Sequence, residues 1–346
     1  MATVSIGSGR GTASIQLFFD QVSTTMNENW TGLLFNDVML STASLPNITI
    51  TSGIVKLSCA SGHGFKDHTS ATSNPLRPDQ SKGVMITGGA GGNGGVLYAV
   101  DSITYKGLQV KQTGGNFDAY SAPIGQGTGK ALVHDCILEN ACSTGTLRNA
   151  GLMVDGTGAI EAFNTVVYVQ SNATVSIVSA IYNTGTVSAN FCTFISPNDQ
   201  FSTRQAIVGL HAATNIENCY FAGWVSCAGG THTVTGNNNA TDKASAWFPS
   251  GTGHVYGASV VDQFVSSSYT SFPSQFDVKL ASGTVSIANA GFDNNSGFED
   301  NDIVGQSRTG TGRWDIGAHT FYTLAGGGGG GSEGGGAYYY FVTGMR

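Results

Sequence analysis

Short segments with alternating apolar and polar residues recur through the middle of the chain. Five of them align on a central residue that is followed two places later by an apolar or aromatic residue: YKGLQV (105–110), VHDCIL (133–138), AFNTVV (162–167), ANFCTF (189–194) and IENCYF (216–221). The central residues Leu108, Cys136, Thr165, Cys192 and Cys219 follow one another at steps of 28, 29, 27 and 27. Alternation with a period of two predicts β-strands, and the Gly, Asn, Thr and Ser between the segments predict turns.

The length of the repeat selects the architecture. Short strands that recur at a fixed period indicate a stacked solenoid or a propeller, and a propeller blade needs about 40 residues. A step of 27–29 residues is typical of one coil of a parallel β-helix. Successive coils then pair in register about 4.8 Å apart, so equivalent side chains form columns.

Three columns follow from this alignment. Small apolar thiols at Cys136, Cys192 and Cys219 suit a stacked interior column. A second apolar column lies eleven places upstream, and Gly125 interrupts it beside Ile124; its members are Leu97, Val154, Ile181 and Val208. One place before the central residues lies a polar column, which we interpret as a structural ladder along a turn; its members are Asp135, Asn164 and Asn218.

Both ends of the chain depart from the repeat. Apolar spacing within residues 12–40, at Ile15, Phe18, Phe19 and Val22, predicts a short amphipathic helix. Because a solenoid needs its open core end covered, we expect a helical N-terminal cap. Strands at 48–60 and 83–88 then lead into the coils, and 61–82 forms a polar excursion on the rim. The predicted units are an N-terminal cap with its leading strands (1–60), a β-helix with a closing motif (61–325) and a Gly-rich tether with an aromatic tail (326–346).

The composition of the chain limits the classes of molecule that it could bind. Charged residues make up 11% of the 346 residues and the net charge is -7, without any Lys/Arg run, which argues against nucleic acid and anionic membranes. The first residues lack a basic and an apolar region, so we expect no signal peptide, and no apolar stretch suits a membrane span. The six Cys lack metal-binding spacing, and we expect neither a metal nor another cofactor.

The coils contain few residues that could take part in catalysis. Glu161 and Glu217 are the weak candidates for catalytic carboxylates: they are assigned to equivalent positions two coils apart, with Ser188 between them, about 10 Å from each other. We favour the interpretation that Glu161 and Glu217 are solvated side chains or lie in turns. Trp224, Trp247, Phe248 and Tyr256 suit burial under a loop, and a sugar-stacking surface or a subunit interface stays open.

Charges reappear together in GQSRTGTGRWDIGAHTF (305–321), after the last predicted coil. We expect this motif to terminate the solenoid. In this interpretation Arg308 and Asp315 pair with each other or cap backbone groups, Trp314 and Ile316 cover apolar surface, and Gly317 permits a tight bend. The tail then carries Tyr338, Tyr339, Tyr340 and Phe341, which we expect to dock on a neighbouring subunit or partner.

Residues 276–321 resemble the C-terminal signature of right-handed parallel β-helix proteins of the pectate-lyase-like group. The matching motifs are Phe276-Asp277 to Leu280, Ala288 to Gly291, Asp302-Ile303 to Gly305 and Arg308, and Asp315-Ile316-Gly317-Ala318; Thr320 stands where that signature has Glu. The opening ATVSIGSGRG and the stretch 61–88 resemble β-helix proteins of tailed-phage virions. The expected fold is therefore all-β: a single-stranded right-handed parallel β-helix with a short N-terminal helical cap.

The resemblance implies a setting more than an activity, because one fold hosts many functions. It implies a structural protein on the exterior of a phage particle, assembled in the host cytoplasm as a homotrimer and in contact with other virion proteins. A capsid decoration, head fibre, tail fibre or tail spike would serve assembly, stabilisation or attachment to the host surface. Two alternatives remain open: a tailspike depolymerase, acting on host polysaccharide as a lyase or hydrolase, and a non-enzymatic adhesin that binds host glycan. The residues favour a non-enzymatic role.

Overall fold

The structure of the protein is a computed structural model. It describes residues 2–7, 14–22, 25–26, 28–35, 43–45, 49–50, 54–67, 74–88, 95–113, 120–141, 148–170, 177–197, 204–244, 247–267, 272–291, 301–305, 307–308 and 314–319. The helices are α1 (Ile15–Gln21) and α2 (Val260–Gln263), with short 3-10 helices at Phe65–Asp67 and Gln80–Lys82. The strands are β1 (Ala2–Ile6), β2 (Thr25–Met26), β3 (Trp30–Leu34), β4 (Ala43–Leu45), β5 (Thr49–Ile50), β6 (Val55–Cys59), β7 (Met85–Gly88), β8 (Gly95–Ala99), β9 (Ile103–Lys106), β10 (Gln109–Gln112), β11 (Tyr120–Gln126), β12 (Lys130–His134), β13 (Ile137–Asn140), β14 (Arg148–Val154), β15 (Ala159–Phe163), β16 (Val166–Val169), β17 (Ile177–Asn183), β18 (Thr186–Asn190), β19 (Thr193–Ile195), β20 (Gln205–Glu217), β21 (Tyr220–Ala222), β22 (Ser226–Thr235), β23 (Ala240–Thr241), β24 (Phe264–Ser267) and β25 (Phe276–Leu280).

The strands stack into three faces. Face 1 runs through β1, β3, β6, β9, β12, β15 and β18 into the second half of β20. Face 2 is the seven-stranded sheet from β7 through β10, β13, β16, β19 and β21 to β23. Face 3 runs through β4, β8, β11, β14 and β17 into the first half of β20, and β22 pairs along β20. Strand pairing within the faces is parallel, so the protein is a right-handed parallel β-helix, as predicted.

The predicted coil spacing is confirmed by the strand register. On face 1, Tyr105 pairs with Val133, Val133 with Ala162, Ala162 with Ala189, and Ala189 with Ile216. The interior cysteines Cys136, Cys192 and Cys219 are fully buried in the main core, as expected of small apolar side chains in a column.

The second apolar column was predicted with the wrong offset. Its true members on face 3 are Leu97, Ile124, Leu152, Ile181 and Ile207, each paired with the next. Val154 instead pairs with Asn183, and Val208 pairs with Tyr182. The turn from face 3 to face 1 varies in length between coils, so a constant offset of eleven residues does not hold.

The N-terminal end of the interior is closed by helix α1, which confirms the helical cap. The Ser14 side chain accepts a hydrogen bond from the Leu17 N–H at 3.2 Å and begins the helix. Ile15, Phe18 and Phe19 are buried in the same core as the coils. Their burial removes the end of the core from water.

The other end of the interior is closed by aromatic residues of the last coil and the loop after it. Trp224 is fully buried, and the Phe248 ring, 6% exposed, lies 6.1 Å from the Phe221 ring. The rings of Trp247 and Phe248 meet edge to face at 4.9 Å, and His254 stacks on Phe248. Trp224 and Phe248 are thus buried as expected, whereas Trp247 and Tyr256 pack against the core while partly exposed.

The chain after the last coil returns along face 2. Its described parts, within 258–319, cover the outer surface of that sheet in a second apolar core, which we name the seam. Tyr168 of β16 contacts the rings of Phe272 and Phe276, 5.5 and 6.2 Å away. The excursion meets the seam as well: the Leu76 N–H donates to the Asp277 carboxylate at 3.1 Å. Strands β13, β16, β19 and β21 of face 2 are therefore buried on both sides.

Candidate functional site

The accessible sheet surface lies on face 1. The outer side of face 2 is covered by the seam, and the outward column Tyr98, Met153, Tyr182 and Val208 on face 3 is at most 8% exposed. On face 1 the outward rows are half-buried and mostly polar; described members are Lys56, Thr104, Lys106, Leu132, His134, Glu161, Ser188, Asn215 and Glu217.

Glu161 lies on this surface in an ion pair. Its carboxylate is 2.7 Å from the ammonium of Lys130 on the preceding coil, and its side chain is 28% exposed. In the row through Glu161, Leu132 lies on one side and Ser188 followed by Asn215 on the other. A half-exposed pair of this kind contributes little to stability, and it places a cation beside the carboxylate.

Glu217 is not at the equivalent position, which corrects the prediction. It pairs with Asn190, which in turn pairs with Phe163, so its row lies two residues further along the strands than the row of Glu161. The reason is that Glu161 precedes Thr165 by four residues, whereas Glu217 precedes Cys219 by two. Two coils and two residues together separate the Cα atoms by about 12 Å, compared with about 10 Å for equivalent positions two coils apart.

The corner between faces 1 and 2 has a left-handed backbone in each of six coils. The corner residues and their φ angles are Gly107 (71°), Asp135 (52°), Asn164 (46°), Phe191 (51°), Asn218 (53°) and Asn238 (54°). Gly, Asn and Asp tolerate this region, which explains the polar column seen in the sequence. The column also forms hydrogen bonds: Asn164 donates to Asp135 at 3.3 Å and Asn218 to Asn190 at 3.0 Å. Phe191 is the one bulky residue among these six.

Arg308 lies against these corners. Its guanidinium is 4.3 Å from the centre of the Phe191 ring, and it donates to the Asn164 side-chain oxygen at 3.2 Å. It also donates to the backbone oxygens of Asp315 and Gly317, at 3.3 and 3.1 Å. The residue is 4% exposed, so its contacts with carbonyl oxygens and an aromatic face replace water.

The other residues of the motif meet the same coils. Trp314 lies 5.1 Å from the Phe191 ring, and the buried Asp315 carboxylate accepts the Asn289 N–H at 2.6 Å. Ile316 is buried in the seam, and the Gly317 N–H donates to the Asn218 oxygen at 2.8 Å. Gly317 has φ +97°, which favours glycine.

The motif therefore lies beside the coils and not over the end of the solenoid, where it was expected. The end belongs to Trp247 and Phe248, which continue the interior core. The motif instead covers the corners of the three coils that carry Asn164, Phe191 and Asn218. Its contacts Arg308–Asn164, Trp314–Phe191 and Gly317–Asn218 join residues 144, 123 and 99 positions apart, and no local pattern indicates them.

Sequence reasoning also missed a group of buried charges in the seam. The ammonium of Lys279 is 3.4 Å from the Asp277 carboxylate. Burial raises the pKa of Asp277 and lowers the pKa of Lys279, and each opposes the other's shift. Burial, with Lys279 and Arg308 nearby, holds the pKa of His319 well below its usual value. The isolated letters D, K and H gave no sign of this clustering.

The remaining predictions fall in three groups. Burial raises the pKa of the Cys136 and Cys227 thiols to about 12, which disfavours the reactive thiolate at both positions. Among the described residues, no group of three His, Cys, Asp or Glu side chains could hold a metal ion. Tyr338, Tyr339, Tyr340 and Phe341 lie outside the described residues, so their docking stays a prediction.

Comparison with protein families, with curated proteins and with solved structures gives no match to this chain. Within the described part of the chain, neither helix has the length and apolar character needed to cross a lipid bilayer. The parallel β-helix is thus the level at which the protein is classified.

Proposed function

We infer that the chain is a structural protein on the exterior of a phage particle, as a capsid decoration, head fibre, tail fibre or tail spike. It would assemble as a homotrimer with other virion proteins and serve stabilisation or attachment to the host surface. The virion setting rests on the resemblance of the two ends of the chain to phage β-helix proteins. The structural role rests on the observations below.

The observation that carries the structural role is the double burial of the solenoid. One core runs from Ile6 and helix α1 through the coils to Phe248, and the seam adds a second core along face 2. Because apolar side chains of both layers pack against regular sheets, local opening has a high cost. A rod of this kind suits a protein that bears mechanical load and is exposed to proteases.

The accessible face supports the same role. Glu161 is paired with Lys130, and the register separates it from Glu217 by two coils and two residues. Buried acids elsewhere are also paired, as in Lys111–Glu139 at 2.9 Å and Lys66–Asp135 at 3.2 Å. These carboxylates hold the fold, and their arrangement does not favour a hydrolytic pair.

The proposal is tested on purified particles. We expect a reconstruction to contain a threefold group of rods on the exterior that accommodates the coils and the seam. Absence of the chain from mature particles would overturn the proposal.

A separate assay distinguishes the enzymatic alternative. The full chain is incubated with host surface polysaccharide, and released reducing ends and unsaturated sugars are measured. We expect no release. Release that is lost in Glu161→Gln or Glu217→Gln would assign the protein to the depolymerase class, and binding without release would assign it to the adhesins.

A further inference from the structure

Four side chains from three separated parts of the chain meet at the corner of the coils. Lys66, in the excursion, donates from its ammonium to the Asp135 Oδ2 atom at 3.2 Å. The Asn164 Nδ2 atom donates to the other oxygen of the same carboxylate at 3.3 Å. Arg308 donates from Nη2 to the Asn164 Oδ1 atom at 3.2 Å. The Asp135 carboxylate thus contacts both the Lys66 amine and the Asn164 carboxamide. The carboxamide oxygen also accepts a hydrogen bond from the Arg308 guanidinium.

The group is fixed and largely withdrawn from water. Asp135 is 2% exposed, Asn164 is 6% and Arg308 is 4%, while the Lys66 side chain reaches in from the surface at 27%. The Asn164 amide also donates to the Asn301 backbone oxygen at 2.6 Å, which fixes the orientation of its nitrogen. The stacking of Arg308 on Phe191 and its bonds to backbone oxygens hold the guanidinium in place.

We propose that Lys66 and Asn164 form an intramolecular amide cross-link in the mature protein. The Lys66 Nζ atom, after giving a proton to Asp135, attacks the Asn164 Cγ atom and forms a C–N bond. The Cγ–Nδ2 bond then breaks, and the departing nitrogen takes the proton from Asp135 and a second one from Nζ. One ammonium ion leaves, Asp135 is again a carboxylate, one secondary amide remains, and no oxidant, reductant or further reactant is needed.

Each neighbour has a chemical role in this step. Asp135 contacts both the amine and the leaving nitrogen, so it can carry the proton from one to the other as a general base and then a general acid. Arg308 points a donor at the oxygen on which negative charge develops during attack. The low exposure of the group keeps competing water away from Asn164.

The cross-link would tie the excursion to a coil far along the chain, since Lys66 and Asn164 are 98 positions apart in the sequence. A covalent tie between distant residues restricts the unfolded chain, as a disulfide does, without any thiol. Such a bond would also survive reducing conditions.

The experiment is intact-mass measurement of the full chain after maturation at neutral pH, followed by peptide mapping. We expect a mass lower than the sequence mass by one ammonia, and a branched peptide that joins the segments containing Lys66 and Asn164. A full sequence mass in the mature protein would overturn the proposal.

Two variants separate the cross-link from other losses. Lys66→Arg keeps the charge but removes the amine nucleophile, and Asp135→Asn removes the proton carrier with a residue that tolerates φ near 52°. Both variants should show the full sequence mass, without the loss of one ammonia. Lys111→Arg, which changes a lysine paired with buried Glu139, is the matched control and should keep the loss. A loss that persists in Lys66→Arg would indicate a cyclic imide at an Asn and would contradict the cross-link.

Discussion

The interior of the coils and the seam are both buried, yet they are built by different rules. The interior is a stack of equivalent apolar side chains, repeated from coil to coil and readable as columns in the sequence. The seam joins one repetitive surface, face 2, to a stretch without a repeat, and it contains Asp277, Lys279, Asp302, Arg308 and His319. The comparison teaches that the repeat specifies the rod, and that the seam is specified by long-range contacts.

The largest expected effect comes from deleting one buried ring in each region. Phe194→Ala removes an interior ring stacked on Phe221 at 4.8 Å, and Phe276→Ala removes a seam ring that contacts Tyr168. Each should cost about 3–5 kcal/mol of unfolding free energy because each leaves a cavity. Urea unfolding measures the cost, and limited proteolysis locates it.

The two variants should differ in where cleavage begins. Phe276→Ala should expose the chain after residue 258 while the coils stay resistant, and Phe194→Ala should sensitise the coils themselves. If both variants are cleaved at the same sites and rates, the interior and the seam unfold as one unit and the distinction fails.

A smaller effect is expected at Asp315. Asp315→Ala removes the charged acceptor of the Asn289 N–H from a part-buried hydrogen bond and should cost about 1–2 kcal/mol. Asp315→Asn keeps an acceptor oxygen and is the matched control. Thermal unfolding compares the two variants. If Asp315→Ala were as stable as the unchanged protein, the Asp315 carboxylate would not stabilise the seam.

The pH dependence of the seam should follow His319. Its folded-state pKa lies well below 6.5, so the unfolded chain binds the proton more readily. Its contribution is therefore present above pH 6.5 and is lost as the pH falls towards the folded-state pKa. The nearby Asp302 carboxylate, 4.0 Å from Nε2, favours the charged ring, but burial dominates.

His319→Asn isolates that contribution, because an amide oxygen can replace Nδ1 as acceptor of the Leu280 N–H. Unfolding is measured at a series of pH values below 7. The difference in stability between the unchanged protein and the variant should shrink on acidification. Parallel curves would show that His319 does not titrate on unfolding. Asp277, whose pKa is raised, changes in the opposite sense and cancels in the comparison.

The smallest effect is expected in the interior cysteine column. Cys136→Ala removes one buried sulfur and should cost about 1 kcal/mol. Burial raises the pKa of the Cys136 thiol to about 12 and that of Cys219 well above its usual value, so neither should react with a thiol reagent in the native state. Peptide mapping after labelling checks this. Rapid labelling of Cys136 would mean that the interior opens easily.

The sequence predicted the rod well because its signal is periodic. The steps between Leu108, Cys136 and the later central residues match the strand register, and the polar column marks the left-handed corners. The face 3 column was misassigned because turn length varies from coil to coil. Phe191 shows the limit of the pattern: it occupies a corner that favours Gly or Asn, and its partners Trp314 and Arg308 come from far along the chain.

The position of the candidate site was harder to predict, because it also depends on contacts between residues far apart in the sequence. The motif 305–321 was singled out for its charges, but its place depends on contacts such as Arg308 with Asn164 and Ala318 with Thr193. Local patterns do not contain such pairings. Glu161 and Glu217 were assigned to the same row although their distances from the central residues differ, and the register separates them.

Amide hydrogen exchange on the full chain tests most directly whether the motif lies against the coils. The Ile303, Ile316 and Gly317 N–H groups donate to Ala318, Ile287 and Asn218. We predict that these amides are protected, though less than interior amides such as that of Val166, which donates to Cys136. Exchange of Ile316 and Gly317 at the rate of an unstructured peptide would contradict the seam and the account built on it.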